Sequence, residues 1–206
     1  MKLFLASEAK HPTTLGHLNT FVSGLKGKKI AYIVTAANGE AWGSWKTSRT
    51  LPIVKSEGAE VEVIELENYK THDILTPLKT ADIIWCCGGS SSYLLYWMHR
   101  TQTITLIPEL IKAGTVYVGS SAGSMACSRT QTLAEWYFGE NEPGASLIPG
   151  MGLIDFEMYP HYRDELLPQI QAQWQTGQLY LLKDGEAIIL EESQVKVLAE
   201  ERKLDK

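Results

Sequence analysis

The sequence predicts an α/β protein with a mostly parallel β-sheet and helices on both faces of that sheet. Short apolar runs alternate along the chain with longer amphipathic stretches, which is the pattern of repeated βαβ units. The runs Lys29–Thr35 and Asp82–Cys87 are apolar at nearly every position, as is typical of strands buried on both faces. Gly88 follows an apolar run, and Gly58 and Gly114 follow amphipathic stretches. Each glycine indicates where an element ends.

The first two thirds of the chain supply most of these elements. Leu3–Ala6 is a short apolar run and predicts the first strand. Thr14–Leu25 has apolar residues three and four positions apart, so it predicts a helix. Glu60–Leu66 alternates apolar and polar residues and predicts a strand with one solvated face. The other elements predicted here are strands at Lys29–Thr35, Asp82–Cys87 and Thr115–Ser120, and helices at Trp45–Glu57, Asp73–Lys79, Tyr93–Arg100 and Ile104–Lys112.

The last third of the chain has a different pattern. A strand at Leu153–Tyr159 and a helix at Asp164–Trp174 are followed by three short apolar runs separated by turn residues. These runs, Leu179–Leu182, Ala187–Leu190 and Val195–Leu198, predict a small antiparallel meander of C-terminal strands. They are too small to fold alone, so we expect residues 1–206 to form a single domain.

The composition excludes several classes of protein. The 206 residues are 44% hydrophobic and 21% charged, which allows one sizeable core and is unlike a disordered chain. The net charge of −5 and the lack of a basic run argue against nucleic-acid binding. The apolar start is too short for a signal peptide or a membrane span, and Cys86, Cys87 and Cys127 fit neither a disulfide framework nor a zinc site. We therefore expect a cytoplasmic protein that does not engage a membrane.

Gly119-Ser120-Ser121-Ala122-Gly123 is the most informative short motif. It fits G-x-S-x-G at the junction of a predicted strand and a predicted helix. A serine in this pattern lies on a sharp turn that raises its hydroxyl above the sheet, and the flanking glycines avoid a clash in that turn. The backbone N–H of Ala122 then points toward an oxyanion formed at Ser121, which makes Ser121 the candidate nucleophile.

A second glycine-rich segment, Gly88-Gly89-Ser90, ends the preceding predicted strand. The carboxyl ends of parallel strands lie at one edge of a sheet, where open α/β proteins place their sites. Gly89 is thus placed to bring a second backbone N–H to the oxyanion. The same segment also fits a flexible turn, with Ser90 to Ser92 as candidates for the N-cap of the next helix.

A serine hydroxyl attacks only when a base takes its proton, and histidine is the usual base. His161 follows the end of a predicted strand, at the edge where Ser121 should lie, and it is the base candidate among His11, His17, His72, His99 and His161. The acid that orients this histidine should come from a later turn. Asp184, between two short runs, is the first candidate, and Glu186, Glu191 and Glu192 are rivals.

Taken together and in this order, four motifs resemble peptidase family S51, which includes aspartyl dipeptidase (dipeptidase E) and cyanophycinase. The motifs are Gly88-Gly89, Gly119–Gly123, Pro160-His161 and Asp184-Gly185. The resemblance runs through most of the chain, from Lys29 to Gly185. It implies a fold like that of the class I glutamine amidotransferases, which is flavodoxin-like, with serine in place of the cysteine nucleophile.

The resemblance implies a serine-type peptidase that hydrolyses short peptides, such as Asp-X dipeptides, through an acyl-enzyme. In it, Ser121 is the nucleophile, His161 the general base and Asp184 the acidic member of a triad. Gly89 and Ala122 are the oxyanion donors. A small peptide is then the partner, and no metal or organic cofactor is required.

Substrate binding is assigned on chemical grounds. An N-terminal aspartate needs a cation, and Arg129 and Arg163 are candidates because a guanidinium pairs with a carboxylate through two hydrogen bonds. Ser90 stands where relatives often have Asn, which is expected to alter substrate contacts. The Gly- and Pro-rich loop Gly139–Gly152 is expected to cover the site.

Other functions stay open at this point. Ser121 also suits an esterase or an amidase, and the same fold could serve as a non-catalytic amidotransferase-like module that binds a ligand. A nucleotide-binding domain is disfavoured because the chain contains neither GxGxxG nor GxxxxGK[ST]. A homodimer also stays open, with Trp42 and Trp45 as candidate interface residues.

Overall fold

Two β-sheets organise the chain. The computed structural model describes residues 1–40, 45–70, 73–139, 142–192 and 194–206. In chain order the strands are β1 (Lys2–Ala6), β2 (Lys29–Ile33), β3 (Glu60–Ile64), β4 (Ile83–Cys86), β5 (Val116–Ser120), β6 (Glu157–Tyr159), β7 (Gln178–Leu181), β8 (Ala187–Glu191), β9 (Gln194–Val197) and β10 (Lys203–Asp205). The larger sheet has the strand order β3-β2-β4-β5-β1-β8-β9, and the smaller sheet has the order β10-β7-β6.

The larger sheet is parallel from β3 to β1 and antiparallel where β8 and β9 extend it. The side chains of β1, β2 and β4 are buried almost throughout, as their apolar sequences predict. β3 lies at an edge, and exposed residues alternate along it with partly buried ones, also as predicted. This arrangement brings the carboxyl ends of β1, β2, β4 and β5 to one edge of the sheet.

The helices that connect the parallel strands lie on both faces of the larger sheet. The described helices are α1 (Pro12–Phe21), α2 (Thr35–Asn38), α3 (Thr50–Ser56), α4 (Leu75–Lys79), α5 (Ser91–Arg100), α6 (Thr103–Lys112), α7 (Ala122–Met125) and α8 (Leu167–Gln173). The connections that carry α1 and α3 run toward the β3 edge, and those that carry α4, α5 and α6 run back toward β1. Because parallel connections are right-handed, the two sets cover opposite faces, and the predicted α/β class is confirmed. No helix in the described ranges is long and apolar enough to cross a membrane.

The helix predicted at Trp45–Glu57 is shorter than expected. A 3₁₀ turn at Trp45–Thr47 precedes α3, which begins at Thr50. Pro52 is compatible with this start, because proline has no N–H to donate and is best tolerated in the first turn of a helix. Trp45 is partly buried and packs against the core, and Trp42 lies outside the described residues.

The strand predicted at Leu153–Tyr159 is limited to β6. The N–H groups of Leu153 and Ile154 donate to the carbonyl of Cys127, at 2.9 and 3.3 Å, and a β-bridge joins Ile154 to Ser128. The first half of the predicted strand therefore follows the segment after α7 instead of joining a sheet.

The predicted antiparallel C-terminal strands are present, but they do not form one meander. β8 and β9 form an antiparallel hairpin on β1, whereas β7 lies in the smaller sheet, parallel to β6 and antiparallel to β10. Leu182 extends the contact between β6 and β7 by donating its N–H to the Tyr159 carbonyl at 3.0 Å. The C-terminal strands are thus divided between two sheets, and β10 was not predicted.

Two apolar clusters hold the sheets in place. The main cluster surrounds the larger sheet and includes the fully buried Trp85, Tyr32 and Tyr117. The second cluster packs Trp174, near the end of α8, against the smaller sheet and against Met125 at the end of α7. The smaller sheet therefore packs directly on the segment that carries the serine motif.

Candidate active site

Ser121 lies on a strained turn at the carboxyl end of β5. Its backbone has φ 49° and ψ −111°, a positive φ that non-glycine residues seldom adopt and that often occurs at functional sites. The N–H of Ser121 donates to the carbonyl of Ala6 in the neighbouring strand β1 at 3.0 Å. The helix α7 begins at the next residue, so this is the strand–turn–helix geometry that the motif predicts.

Both glycines of the motif are required by close packing. A Cβ on Gly119 would lie 2.6 Å from the backbone nitrogen of Ser124, and a Cβ on Gly123 would lie 2.3 Å from the carbonyl oxygen of Cys86. Neither backbone atom can move without shifting the sheet or α7. The match to G-x-S-x-G therefore reflects the packing of the turn against β4 and β5.

The segment after β4 lies next to the serine. A Cβ on Gly88 would be 3.3 Å from the Cβ of Ser121. Gly89 has φ +138°, and a Cβ there would lie 2.1 Å from the carbonyl oxygen of Ala36. In the described part of the chain, no hydrogen bond uses the backbone N–H of Gly89 or Ala122. Both predicted oxyanion donors thus have an N–H available.

Ser90 was predicted to contact the substrate, but it does not line the cavity at Ser121. Its hydroxyl accepts a hydrogen bond from the N–H of Tyr93 at 3.2 Å and caps α5. It lines a small cavity beside Gly89, which Glu142 also lines, and not the cavity at Ser121. Its main contact is therefore the helix cap that the sequence also allowed.

His161 and Asp184 meet where the two parallel strands of the smaller sheet end. His161 follows β6, Asp184 follows β7, and the distance from His161 Nδ1 to Asp184 Oδ1 is 2.6 Å. A carboxylate accepts hydrogen bonds, so Nδ1 carries the proton and the lone pair of Nε2 is free to take one. This is the arrangement in which a histidine acts as a general base.

The rival acids have other partners. Glu186 forms two hydrogen bonds with Arg202, at 2.8 and 2.9 Å, and Glu191 pairs with Lys2 at 2.7 Å. Glu192 lies at the turn between β8 and β9, outside the site. Of the four candidates, the structure brings only Asp184 to His161.

Ser7, which was not predicted as a site residue, contacts both members of this pair. The Ser7 hydroxyl accepts a hydrogen bond from the backbone N–H of His161 at 2.7 Å and donates to Asp184 Oδ1 at 3.2 Å. The signal that could have identified it is its place: it is the first polar residue after β1, at the same edge of the sheet as Ser121.

One cavity of about 450 Å³ joins these groups. Ser121 and His161 line it together with Gly88 and Gly89, and so do three charged residues that were not predicted: Glu8, Lys10 and Arg49. Lys10 pairs with Glu8 at 2.7 Å, whereas Arg49 has no ion-pair partner among the described residues. The cavity therefore presents one unbalanced positive charge.

The two arginines proposed for substrate binding do not reach this cavity. Arg129 pairs with Asp155 at 3.0 Å and lines a separate surface pocket, and Arg163 pairs with Glu165 at 3.3 Å. Both were chosen because they follow a site residue closely in sequence. The turns after Ser121 and His161 direct them elsewhere.

The aromatic segment before the Gly- and Pro-rich loop borders the site. The ring of Phe138 stacks on that of His161, with centroids 6.5 Å apart, and the hydroxyl of Tyr137 donates to the carbonyl of Pro160 at 3.0 Å. Of the loop Gly139–Gly152, residues 140 and 141 lie outside the described ranges. A cover over the site formed by this loop stays a prediction.

Comparisons with known proteins identify the family. The sequence model of peptidase family S51 matches residues 3–198. The chain belongs to peptidase family S51. It is 29% identical over 202 residues to an uncharacterized peptidase of Listeria monocytogenes. The match covers 94% of this chain and 96% of the relative. The chain is also 24% identical over 202 residues to peptidase E of Pasteurella multocida, with 91% and 82% of the two chains covered.

A solved structure supports the same relationship. The chain is similar to a candidate peptidase E protein from Listeria monocytogenes EGD-e, with a TM-score of 0.80 and 27% identity over 95% of this chain and 96% of that chain. Family membership makes this protein a serine-type peptidase, which is a hydrolase. The resemblance drawn from the four sequence motifs is thereby confirmed.

Cys87 is a second potential nucleophile in the cavity of this S51 peptidase. Burial raises the pKa of its thiol to about 12, so it is neutral at pH 7. The thiolate, not the thiol, is the nucleophile in cysteine chemistry. Cys87 is thus unsuited to act as the nucleophile in this cavity.

The close packing around Gly119 can be tested by substitution. Gly119→Ala should lower the free energy of unfolding by about 1–3 kcal/mol or more and reduce peptidase activity, because the new Cβ collides with the backbone of α7. Gly16→Ala is the matched control: it lies inside α1 with open space around it and should stabilise by up to about 1 kcal/mol. Urea unfolding of both variants measures the difference, and equal effects would contradict the packing argument.

Proposed function

We propose that this S51 peptidase hydrolyses dipeptides and other short peptides through an acyl-enzyme at Ser121. The observation that carries the proposal is the placement of a strained Ser121 and of the hydrogen-bonded His161–Asp184 pair on one cavity. In the described residues the Ser121 hydroxyl has no hydrogen-bond partner, and catalytic contacts of this kind often tighten only when substrate binds.

The chemical steps follow from the positions of the donors and acceptors. His161 Nε2 takes the proton of the Ser121 hydroxyl as its oxygen attacks the peptide carbonyl carbon. The backbone N–H groups of Gly89 and Ala122 stabilise the resulting oxyanion, an effect worth about 3 kcal/mol per donor in comparable sites. His161 then gives its proton to the leaving amine, and the peptide C–N bond breaks.

Hydrolysis of the acyl-enzyme repeats the same proton path. His161 Nε2 takes a proton from water, the water oxygen attacks the ester carbon, and the proton returns to Ser121 as the acid leaves. Asp184 keeps the Nδ1–H tautomer and stabilises the imidazolium that forms in each half-reaction. Ser121, His161 and Asp184 therefore act as one unit.

The size and charge of the cavity support a short, acidic substrate. Its volume of about 450 Å³ lies in the lower part of the range of small-ligand pockets, which is roughly 300–1,000 Å³. Arg49 supplies the unbalanced positive charge there and is suited to bind a carboxylate through two hydrogen bonds. We propose that Arg49, and neither Arg129 nor Arg163, favours peptides with an N-terminal Asp.

The three cysteines are buried and free, which supports a proposed location in a reducing compartment such as the cytoplasm.

A panel of dipeptides and short peptides, half of them with N-terminal Asp, tests the reaction. The wild type should cleave members of the panel, and Ser121→Ala should lower kcat/KM by a factor on the order of 10³ or more, because the nucleophile is lost. Amine release followed by mass spectrometry measures both. Equal cleavage by the two proteins would exclude Ser121 as the nucleophile, and cleavage of esters alone would favour an esterase.

The choice of acid is tested by a matched pair of amide substitutions. Asp184→Asn should lower kcat by a factor on the order of 10²–10⁴, since the amide favours the wrong histidine tautomer. Glu186, which is close to Asp184 in the sequence, is the matched control. Its carboxylate pairs with Arg202, so Glu186→Gln should lower stability with little effect on kcat. Steady-state kinetics and thermal unfolding are measured on both. A larger loss of kcat in Glu186→Gln would reverse the assignment.

Arg49 is tested through its charge. Arg49→Gln should raise KM for Asp-X dipeptides about tenfold or more, since a hydrogen bond between charged groups is lost, and should leave Asn-X dipeptides little changed. Arg163→Gln is the control and should alter neither. Measuring free and amidated C-termini shows which carboxylate is bound. An unchanged ratio of Asp-X to Asn-X cleavage in Arg49→Gln would remove Arg49 from substrate selection.

A further inference from the structure

We propose that Ser7 is a positioning residue that sets the turnover rate by holding His161 and Asp184 in register with Ser121. The inference rests on the proposed function and adds a fourth side chain to its machinery. Ser7 is fully buried and does not line the cavity, so it acts through its neighbours and not on the substrate.

The hydrogen bonds of Ser7 have only one consistent direction. The backbone N–H of His161 can only donate, so the Ser7 oxygen accepts at 2.7 Å. The single hydroxyl proton is then free for Asp184 Oδ1 at 3.2 Å, and this oxygen also takes the Nδ1–H of His161. One hydroxyl thus orients the backbone of the base and the carboxylate that the base depends on.

His161 needs such a partner because its backbone is strained. Its φ is +54°, a left-handed value that a non-glycine residue keeps only when surrounding contacts impose it. Its N–H lies beyond the end of β6 and bonds to the Ser7 side chain in place of a strand. The next residue, Tyr162, returns to strand-like pairing by donating to Leu182 at 2.9 Å. Ser7 therefore supplies the contact at the point where the chain leaves the sheet.

The end of β1 also touches the nucleophile. The carbonyl of Ala6 accepts from the Ser121 N–H at 3.0 Å, and the N–H of Ser7 donates to the carbonyl of Glu186 at 3.1 Å. Two consecutive residues therefore contact the turn of the nucleophile, the base and the turn that carries the acid. A shift of about 1 Å between such groups is enough to cost roughly 100-fold in rate.

The test replaces Ser7 and separates kcat from KM. Ser7→Ala should lower kcat about 10- to 100-fold with KM within about twofold of wild type, because the substrate cavity is untouched. Ser7→Cys fills the same space with a weak hydrogen-bonding group and should stay impaired in kcat. Recovery of kcat in Ser7→Cys would show that packing, not hydrogen bonding, is what Ser7 contributes, and would overturn the inference.

A control variant separates positioning from stability. Thr101 is a buried hydroxyl at the far end of α5 that donates to the Trp97 carbonyl at 2.8 Å. Thr101→Val should lower the melting temperature as Ser7→Ala does and keep wild-type kcat. A kcat of Ser7→Ala that is within twofold of that of Thr101→Val would overturn the inference.

A fluorophosphonate probe makes the outcome independent of the substrate. The Ser121 oxygen displaces fluoride from phosphorus while His161 takes the hydroxyl proton, so the labelling rate reports the same base. Wild type should be labelled at Ser121, and Ser7→Ala should be labelled at least about tenfold more slowly. Equal rates would overturn the inference alone, whereas an unlabelled wild type would overturn the proposed function and this inference with it.

Discussion

The close packing of the Ser121 turn against the larger sheet is the constraint on which the rest of the site depends. Gly123 lies against the carbonyl of Cys86 in β4, Gly119 lies against the start of α7, and the Ser121 N–H bonds to β1. Three adjacent parallel strands thus hold one backbone turn. The hydroxyl is placed by the sheet and not by a flexible loop, which is the rigidity that a nucleophile needs.

The His161–Asp184 pair is positioned by the smaller sheet. His161 and Asp184 follow the parallel strands β6 and β7 of the smaller sheet, so their mutual distance depends on that sheet alone. Their position relative to Ser121 depends on how the two sheets pack. The apolar cluster around Trp174 and Met125 provides the packing, and the hydrogen bonds of Ser7 provide the register. The site is therefore assembled at a junction between two sheets.

The electrostatics of the cavity agree with a serine-type reaction on a small anionic peptide. Cys87 stays a neutral thiol because burial raises its pKa, and a neutral thiol is a poor nucleophile. Glu8 and Lys10 neutralise each other, which leaves Arg49 as the unbalanced charge on the cavity wall among the described residues. In the proposed function, chemistry and selectivity are thus divided: the proton transfers involve residues after β5 and β6, and Arg49 comes from the connection after β2.

The sequence by itself determined the positions of most strands, of the serine motif and of His161, because each has a recognisable local sequence pattern. Apolar runs reveal buried strands, and polar residues directly after them, such as His161, mark a functional edge. Only the tertiary structure decided which strands pair and which charges converge. The tertiary structure divides the C-terminal strands between two sheets and adds β10. It also brings Arg49 to the cavity and directs Arg129 and Arg163 away from it. Ser7 and His161 are 154 residues apart, and periodicity, which reports burial and turns, carries no information on contacts at that separation.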